Sequence, residues 1–331
     1  MFCHSLLNKV INAVNKEFGL CESAEISIEV NPASLGKRTM HNVFKHYVEM
    51  GINRLSIGVQ STKDAVLRRL GRIHSAQDGK ITYECARSAG FSNINLDLIY
   101  GVPGQTYEDW LADLKEAVSW EPEHISAYLL KAPQGWNVPD EETLCQMYLS
   151  TVEMLEKAGF YQYEVSNFAR RPKECAHNLA YWRGDHYLGL GASAHSYFSA
   201  DVWWKLSHDD VNGVFEREEN SPAVRFSNEA SLNNYMNKVE KSGNAISNIE
   251  KLTLEQIMCE KIMLRLRLKE GLALTMITPF FKGDDEKFLN EIIRGLEMHG
   301  LAEIKDGMLN LTPKGFLLAD EITARLCAFL S

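Results

Sequence analysis

Two carboxylates and a carboxamide recur at matching places along this chain. Glu29, Gln60 and Asp97 each stand at or near the end of a short segment in which apolar and polar residues alternate. Groups that accept and donate hydrogen bonds, set at successive strand ends, can hold a polar ligand. The segments are Glu25 to Val30, Arg54 to Gln60, Asn93 to Ile99 and His124 to Leu130, and their period of two predicts strands. One side collects Ile26, Ile28, Val30, Leu55, Ile57, Val59, Ile94, Leu96, Leu98, Ile125, Ala127 and Leu129. The other collects Ser27, Glu29, Ser56, Gly58, Gln60, Asn95, Asp97, Ser126 and Tyr128. A parallel strand covered by helices on both faces would be apolar throughout, so the polar side is expected to face a ligand.

Spacings of about 30 to 40 residues between these strands, with helical patterns after the first three, are those of repeated βα units joined by right-handed crossovers. After residue 130 the repeat stops. Pro133, Gly135 and Pro139 mark a loop, a helix follows from about Asp140 to Lys157, and Tyr161 to Phe168 reads as a further strand. Residues 205–230 are charged and turn-rich, as in a linker. Beyond them, Thr253 and Gln256 open a helix as a capping box that runs to about Lys269. A second helix spans about Glu286 to His299 before Gly300, Asp306-Gly307 turns a hairpin, and Thr312-Pro313 caps a last helix. Helix, helix, hairpin, helix is a winged-helix-like order. The expected organisation is a first domain over 1–132, an extension over 133–212, and a linker with a small α+β domain over 213–331.

The chain has 331 residues, 45% hydrophobic and 24% charged, with a formal net charge of -9. That composition is globular and argues against a dedicated nucleic-acid binder. The helix at 286–299 carries Glu286, Glu291 and Glu297 against Lys287 and Arg294, unlike a basic recognition helix. The seven cysteines, at 3, 21, 85, 145, 175, 259 and 327, include no C-x-x-C pair and suit a reducing compartment. No apolar run is long enough to span a bilayer, and no signal peptide is evident. Leu7, Val10 or Ile11, Val14 and Phe18 fall on one face of an N-terminal helix that is expected to pack on the domain.

Several strings are more specific: Glu29-Val30-Asn31-Pro32, NRLSIGVQS (53–61), LGRIHS (70–75), NLDLIYGVPGQT (95–106), HISAY (124–128), YEVSNFA (163–169), HNLAYW (177–182) and LGLGASAHS (188–196). On them the chain resembles the HemW-type branch of the oxygen-independent coproporphyrinogen III oxidase family, radical S-adenosylmethionine (SAM) proteins of the haem pathway. The resemblance runs from about residue 5 through the C-terminal domain. It implies an α/β fold, a partial radical SAM (βα)6-type barrel with a C-terminal winged-helix-like α+β domain. It also implies SAM contacts at Glu29, Gln60, Arg72 and Asp97, with Lys131 and His195 at two further contact positions. Carboxylates suit the ribose hydroxyls or the amino group, and an arginine fork suits the methionine carboxylate.

The HNxxYW signature at His177 to Trp182 marks the haem-chaperone branch. By that resemblance His177 is the candidate axial ligand to haem iron, Tyr181 and Trp182 offer flat surface to the porphyrin, and Cys175 is a weaker candidate ligand. Arg170, Arg171, Lys173 and Arg183 could meet propionates. The implied activity is haem binding and transfer to haem-accepting proteins, with room for a homodimer and for peripheral membrane contact. The implied compartment is cytoplasmic in a bacterium and mitochondrial in a eukaryote. The other reading is a SAM- and [4Fe-4S]-dependent coproporphyrinogen oxidase of porphyrin biosynthesis. The sequence departs from the family pattern in one respect that counts against that oxidase. The C-x3-C-x2-C motif that holds a [4Fe-4S] cluster is absent, as are the strand and GGGTP turn after it. The expectation is an N-terminally truncated barrel with the strand at 25–30 as its edge, and no reductive cleavage of SAM by this chain.

Overall fold

A computed structural model describes residues 4–32, 37–208, 222–281 and 283–329. The chain divides into two compact units, residues 1–175 and 176–331.

The first unit runs α1 (His4–Phe18), β1 (Ser27–Val30), α2 (Lys37–Glu49), β2 (Arg54–Gln60), α3 (Asp64–Arg69), α4 (Ala76–Ser88), β3 (Ile94–Tyr100), α5 (Tyr107–Ser119), β4 (His124–Leu129), α6 (Glu141–Lys157), β5 (Tyr161–Gln162) and β6 (Asn167–Ala169). Its six-stranded sheet has the order β1-β2-β3-β4-β6-β5. Strands β1 to β4 are parallel, as the βα spacing predicts, and the β6 and β5 pairings are antiparallel. The first strand starts at Ser27 rather than Glu25, because Ile26 is tied to Asn53 and Arg54 of the α2–β2 loop instead of to the ladder. Leu55, Ile57, Val59, Ile94, Leu96, Leu98, Ile125 and Ala127 are buried, whereas Leu129 is exposed beyond the cover of the helices. Capping boxes at Ser75/Asp78 and Thr106/Asp109 start α4 and α5.

The strand expected over 161–168 is instead a tight hairpin. Tyr163 and Asn167 pair across it, and the Glu164 carboxylate turns inward to accept from the Ser166 N–H and from Asn167 Nδ2. The N-terminal helix packs less than its apolar face suggests, since Leu7, Ile11 and Val14 are half-buried while Val10 and Phe18 are exposed.

The second unit begins with α7 (Ala176–Arg183), β7 (His195–Ser199), α8 (Ala200–His208), β8 (Ala223–Asn228), α9 (Leu232–Ser242) and β9 (Ile246–Leu252). It continues with α10 (Leu254–Arg265), β10 (Leu272–Ala273), α11 (Leu274–Ile277), α12 (Asp284–Met298), β11 (Ala302–Lys305), β12 (Met308–Leu311), α13 (Pro313–Phe316) and α14 (Ala319–Cys327). Strands β7-β8-β9 form an antiparallel sheet that the sequence reading missed. The linker expected over 205–230 lies partly outside the described residues, at 209–221, and its last part is β8. Downstream, the predicted capping box opens α10 and the Asp306-Gly307 turn joins β11 to β12. The helix α10 ends at Arg265, four residues before the expected stop. Among the described residues, no helix is long and apolar enough to cross a membrane.

Candidate functional site

On its polar side the first unit's sheet carries a directed chain of hydrogen bonds. Asn95 Nδ2 donates to Ser56 Oγ at 2.7 Å and to Asp97 Oδ1 at 2.8 Å, which leaves its Oδ1 as the acceptor. His124 Nδ1, 2.6 Å from that oxygen, must therefore hold the ring proton. Its Nε2 is then the acceptor for the Tyr163 hydroxyl at 2.8 Å. Burial and the nearby Arg54 charge push the His124 pKa well below its usual value, so the ring is neutral, in agreement with this tautomer. Ser56 Oγ donates to Asp97 Oδ2 at 2.8 Å, and Asp97 thus receives one donor on each carboxylate oxygen. The predicted contact residue is fixed by groups that are themselves buried.

At the end of β2 the ladder slips between Ile57 and Gln60, and Gln60 adopts a φ of 67°. Such a bulge re-aims a side chain, at a conformational cost for a residue other than glycine. Here the loop is pinned from below. The buried Asp113 carboxylate accepts from Ser61 Oγ at 2.7 Å, from the Thr62 N–H at 2.7 Å and from Thr62 Oγ1 at 2.6 Å. Burial raises the Asp113 pKa on balance, against the opposing pull of these donors. Beside the bulge, a Cβ on Gly58 would stand 2.7 Å from Gln60 Nε2 and 2.9 Å from Asn31 Oδ1. Glycine at 58 is what lets the two carboxamides converge over the strand.

Glu29, exposed on β1, pairs in register with Ser56, so Glu29, Ser56 and Asn95 lie across three adjacent strands, with Asp97 two residues further along β3. Gln60 pairs with Leu98. Glu29, Gln60 and Asp97 thus lie on adjacent strands of one sheet, Gln60 at the end of β2 and Glu29 next to the end of β1, whereas Asp97 stands in the middle of β3 rather than at its end. Arg72 is half-buried in the turn between α3 and α4, and Lys131 is exposed in the loop after β4. His195 belongs to the second unit, where it opens β7; its carbonyl would lie 2.2 Å from a Cβ on Gly189, so glycine there permits the chain to pass.

Further down the sheet, Glu164 is fully buried and its pKa is raised to about 7 by loss of solvent, despite the donors from Asn167 and Ser166. Sequence reasoning passed over Glu164, Asp113 and Tyr163. A single polar residue in a strand or helix pattern reads as solvent-facing, and only the tertiary packing shows otherwise.

In the second unit, α7 carries the HNLAYW segment and has no buried residue. His177 and Tyr181, one turn apart, are both exposed, with ring centroids at 4.8 Å and planes at 82°. Tyr181 in turn lies 4.5 Å from the Tyr187 ring. Trp182 is half-buried. Cys175 is buried in the first unit, its Sγ 3.6 Å from Glu25 Oε1. Of the basic residues considered for propionates, Arg170 lies over the Phe160 ring, Arg171 over the Tyr161 ring, and Arg183 is paired with Glu270. Among the described residues no three His, Cys, Asp or Glu side chains gather to hold a metal ion, and the cysteines present do not fit a three-thiolate cluster.

Comparison with known proteins agrees with this layout. Residues 6–117 match the Radical SAM superfamily and residues 252–318 the HemN C-terminal domain. A protein of Mycobacterium tuberculosis named heme chaperone HemW is 30% identical over 97% of this chain and 76% of its own length. A Danio rerio protein named radical S-adenosyl methionine domain-containing protein 1, mitochondrial, is 33% identical over 81% of this chain and 59% of its own. The solved structure of Escherichia coli coproporphyrinogen III oxidase (HemN), described as a radical SAM enzyme, superposes with a TM-score of 0.73 over 98% of this chain and 74% of that one. At 22% identity that likeness is one of fold.

Proposed function

This chain belongs to the HemW family, and from that membership we propose that it binds haem on α7 and hands it to haem-accepting proteins. The observation that carries the reading is the exposed His177–Tyr181 pair. A neutral imidazole can ligate haem iron, and a ring set edge-on beside it can pack against a porphyrin. Trp182 extends the same helix. Cys175 contributes less, because its thiol is buried against Glu25. The test is a titration of the chain with haemin, followed at the Soret band. His177→Ala is expected to weaken binding at least tenfold; a variant that binds haemin as tightly as the parent would remove His177 from the iron.

The same reading gives SAM to the polar side of the first unit's sheet, with contacts from Glu29, Gln60, Arg72 and Asp97 and the further positions Lys131 and His195. The cradle over Gly58 and the two donors on Asp97 support a polar ligand there. When bound, SAM would bring a sulfonium cation to the site; this chain's residues would bind and orient it. Gly58→Ala pushes a methyl group into the Gln60 amide, and the affinity for SAM measured by calorimetry is expected to fall about tenfold. An unchanged affinity would take Gln60 out of the contact set. The proposed compartment is the cytoplasm in a bacterial cell and the mitochondrion in a eukaryotic one, as the name of the Danio rerio relative suggests. Association into a homodimer and peripheral membrane contact belong to the same proposal.

A further inference from the structure

Within the second unit a cavity of about 340 Å³ opens between the end of α7, the paired strands β7 and β8, and α10. Three phenol rings wall one side. Tyr181 contacts Tyr187 as described, and Tyr187 stacks on Tyr197 at 6.3 Å and 27°, the two joined by reciprocal backbone hydrogen bonds. From α10 come the aliphatic surfaces of Ile257, Met263 and Leu264. Burial raises the pKa values of Tyr187 and Tyr197, so both stay neutral and offer ring faces and hydroxyls rather than phenolate.

Four charged side chains line this cavity: Asp185, Arg225, Glu260 and Lys261. Asp185 is exposed and acts on the Arg183 guanidinium, and no ion pair joins it to Lys261 among the described residues. The Arg225 guanidinium is already matched by Glu260 at 2.6 Å and Glu250 at 3.2 Å. Lys261 is half-buried at the cavity, and no hydrogen bond ties its ammonium among the described residues. An aromatic wall, an aliphatic wall and one cation without a matched carboxylate suit a flat, largely apolar ring that carries a carboxylate tail. The volume is at the low end for ligand cavities, so only one edge of a macrocycle enters.

We propose that this cavity seats one edge of a carboxylated porphyrin, with Lys261 meeting a propionate and Tyr187 and Tyr197 packing on the ring. The inference rests on the haem reading above and extends it from α7 to α10. His177 does not line the cavity itself but is in ring contact with Tyr181, which does, so it would stand beside the seated edge.

The experiment separates the two contacts by using haemin and metal-free protoporphyrin IX as probes, with the full chain and its variants Lys261→Glu and His177→Ala. Lys261→Glu is expected to weaken both probes about tenfold, and this loss should vanish for protoporphyrin IX dimethyl ester, which has no free carboxylate. His177→Ala should weaken haemin more than it weakens the metal-free ring. If Lys261→Glu leaves both porphyrins bound as in the parent while His177→Ala weakens haemin, the cavity is not the seat and the His177 reading stands. If Lys261→Glu weakens both but His177→Ala affects neither, the cavity holds and the iron ligand lies elsewhere. A loss with Lys261→Glu that persists for the dimethyl ester would also overturn the carboxylate contact. Unfolding midpoints of the variants control for folding, and Lys261→Gln, expected to show a smaller loss in the same direction, gives a second reading should the charge reversal destabilise α10.

Discussion

Asp113→Ala is expected to destabilise the first unit by about 4 kcal/mol. It strips the acceptor from the Ser61 hydroxyl, the Thr62 hydroxyl and the Thr62 N–H at once. A buried donor left unmatched costs about 1–3 kcal/mol, and Thr62 is partly open to water, so the sum stays below three full penalties. Asp113→Asn keeps one acceptor oxygen and should cost only about 1–2 kcal/mol, because the Ser61 hydroxyl can turn round to accept from the new amide. Denaturation by urea reads both, and a loss under about 1 kcal/mol for the alanine variant would show that the loop finds other acceptors. The effect reaches the site by a direct route. Ser61 follows the residue that sits at a φ of 67°, and without the clamp the bulge can relax and swing the Gln60 amide away from Asn31. The SAM affinity of Asp113→Asn, the milder variant, should therefore fall further than its stability loss alone accounts for.

Stability is also expected to fall as the pH rises from about 4.5 to about 7, because of Glu164. Its carboxyl, ordinarily near 4.5, is raised to about 7 in the folded chain by burial. Between those values the folded state holds a proton that the unfolded state has lost. The folded state thus binds more protons, and raising the pH favours unfolding. Each pKa unit is worth about 1.4 kcal/mol, so the full cost above pH 7 is about 3 kcal/mol, and it is absent below pH 4.5. Glu164→Gln removes the titration. Parent and variant stabilities, measured by denaturation at several pH values, should diverge by about 3 kcal/mol in favour of glutamine between pH 4.5 and 8. Parallel profiles would mean that Glu164 titrates normally. Gln162 and Asn167 each carry a buried carbonyl oxygen without a donor, so the added amide hydrogens have acceptors nearby in the chain.

The sequence made the parallel strands legible because apolar and polar residues alternate along them with a period of two, even where both sides of the strand are buried, as throughout β2. Strand β2 was readable to the residue, since Leu55, Ile57 and Val59 alternate with Ser56, Gly58 and Gln60. Capping boxes and the Asp306-Gly307 turn were readable for the same kind of reason: their chemistry is local. The β7-β8-β9 sheet was not. All but the last residue of β9 are half-buried or exposed, so it lacks a buried alternating face, and β8 follows a charged stretch. Of the site, Glu29 and Gln60 followed from strand ends, and Asp97 from the polar alternation of β3, in whose middle it stands. The clamp from Asp113 and the hairpin that turns Glu164 inward depend on residues dozens of positions apart or on a turn no pattern marks.

Along the chain from Tyr163 through His124 and Asn95 to Asp97 every side-chain hydrogen has its acceptor, and only the remaining lone pairs of the Asp97 carboxylate are open to a further partner. A wall of that kind behaves as a frozen array of dipoles. When a charged molecule arrives, little polarisation has to be rearranged, so the reorganisation energy of association is small and the field it meets is the one already present. Discrimination at this face then comes from whether the visitor's own charges match a fixed pattern. Molecules of similar size but different polarity should be told apart by it without any movement of the sheet.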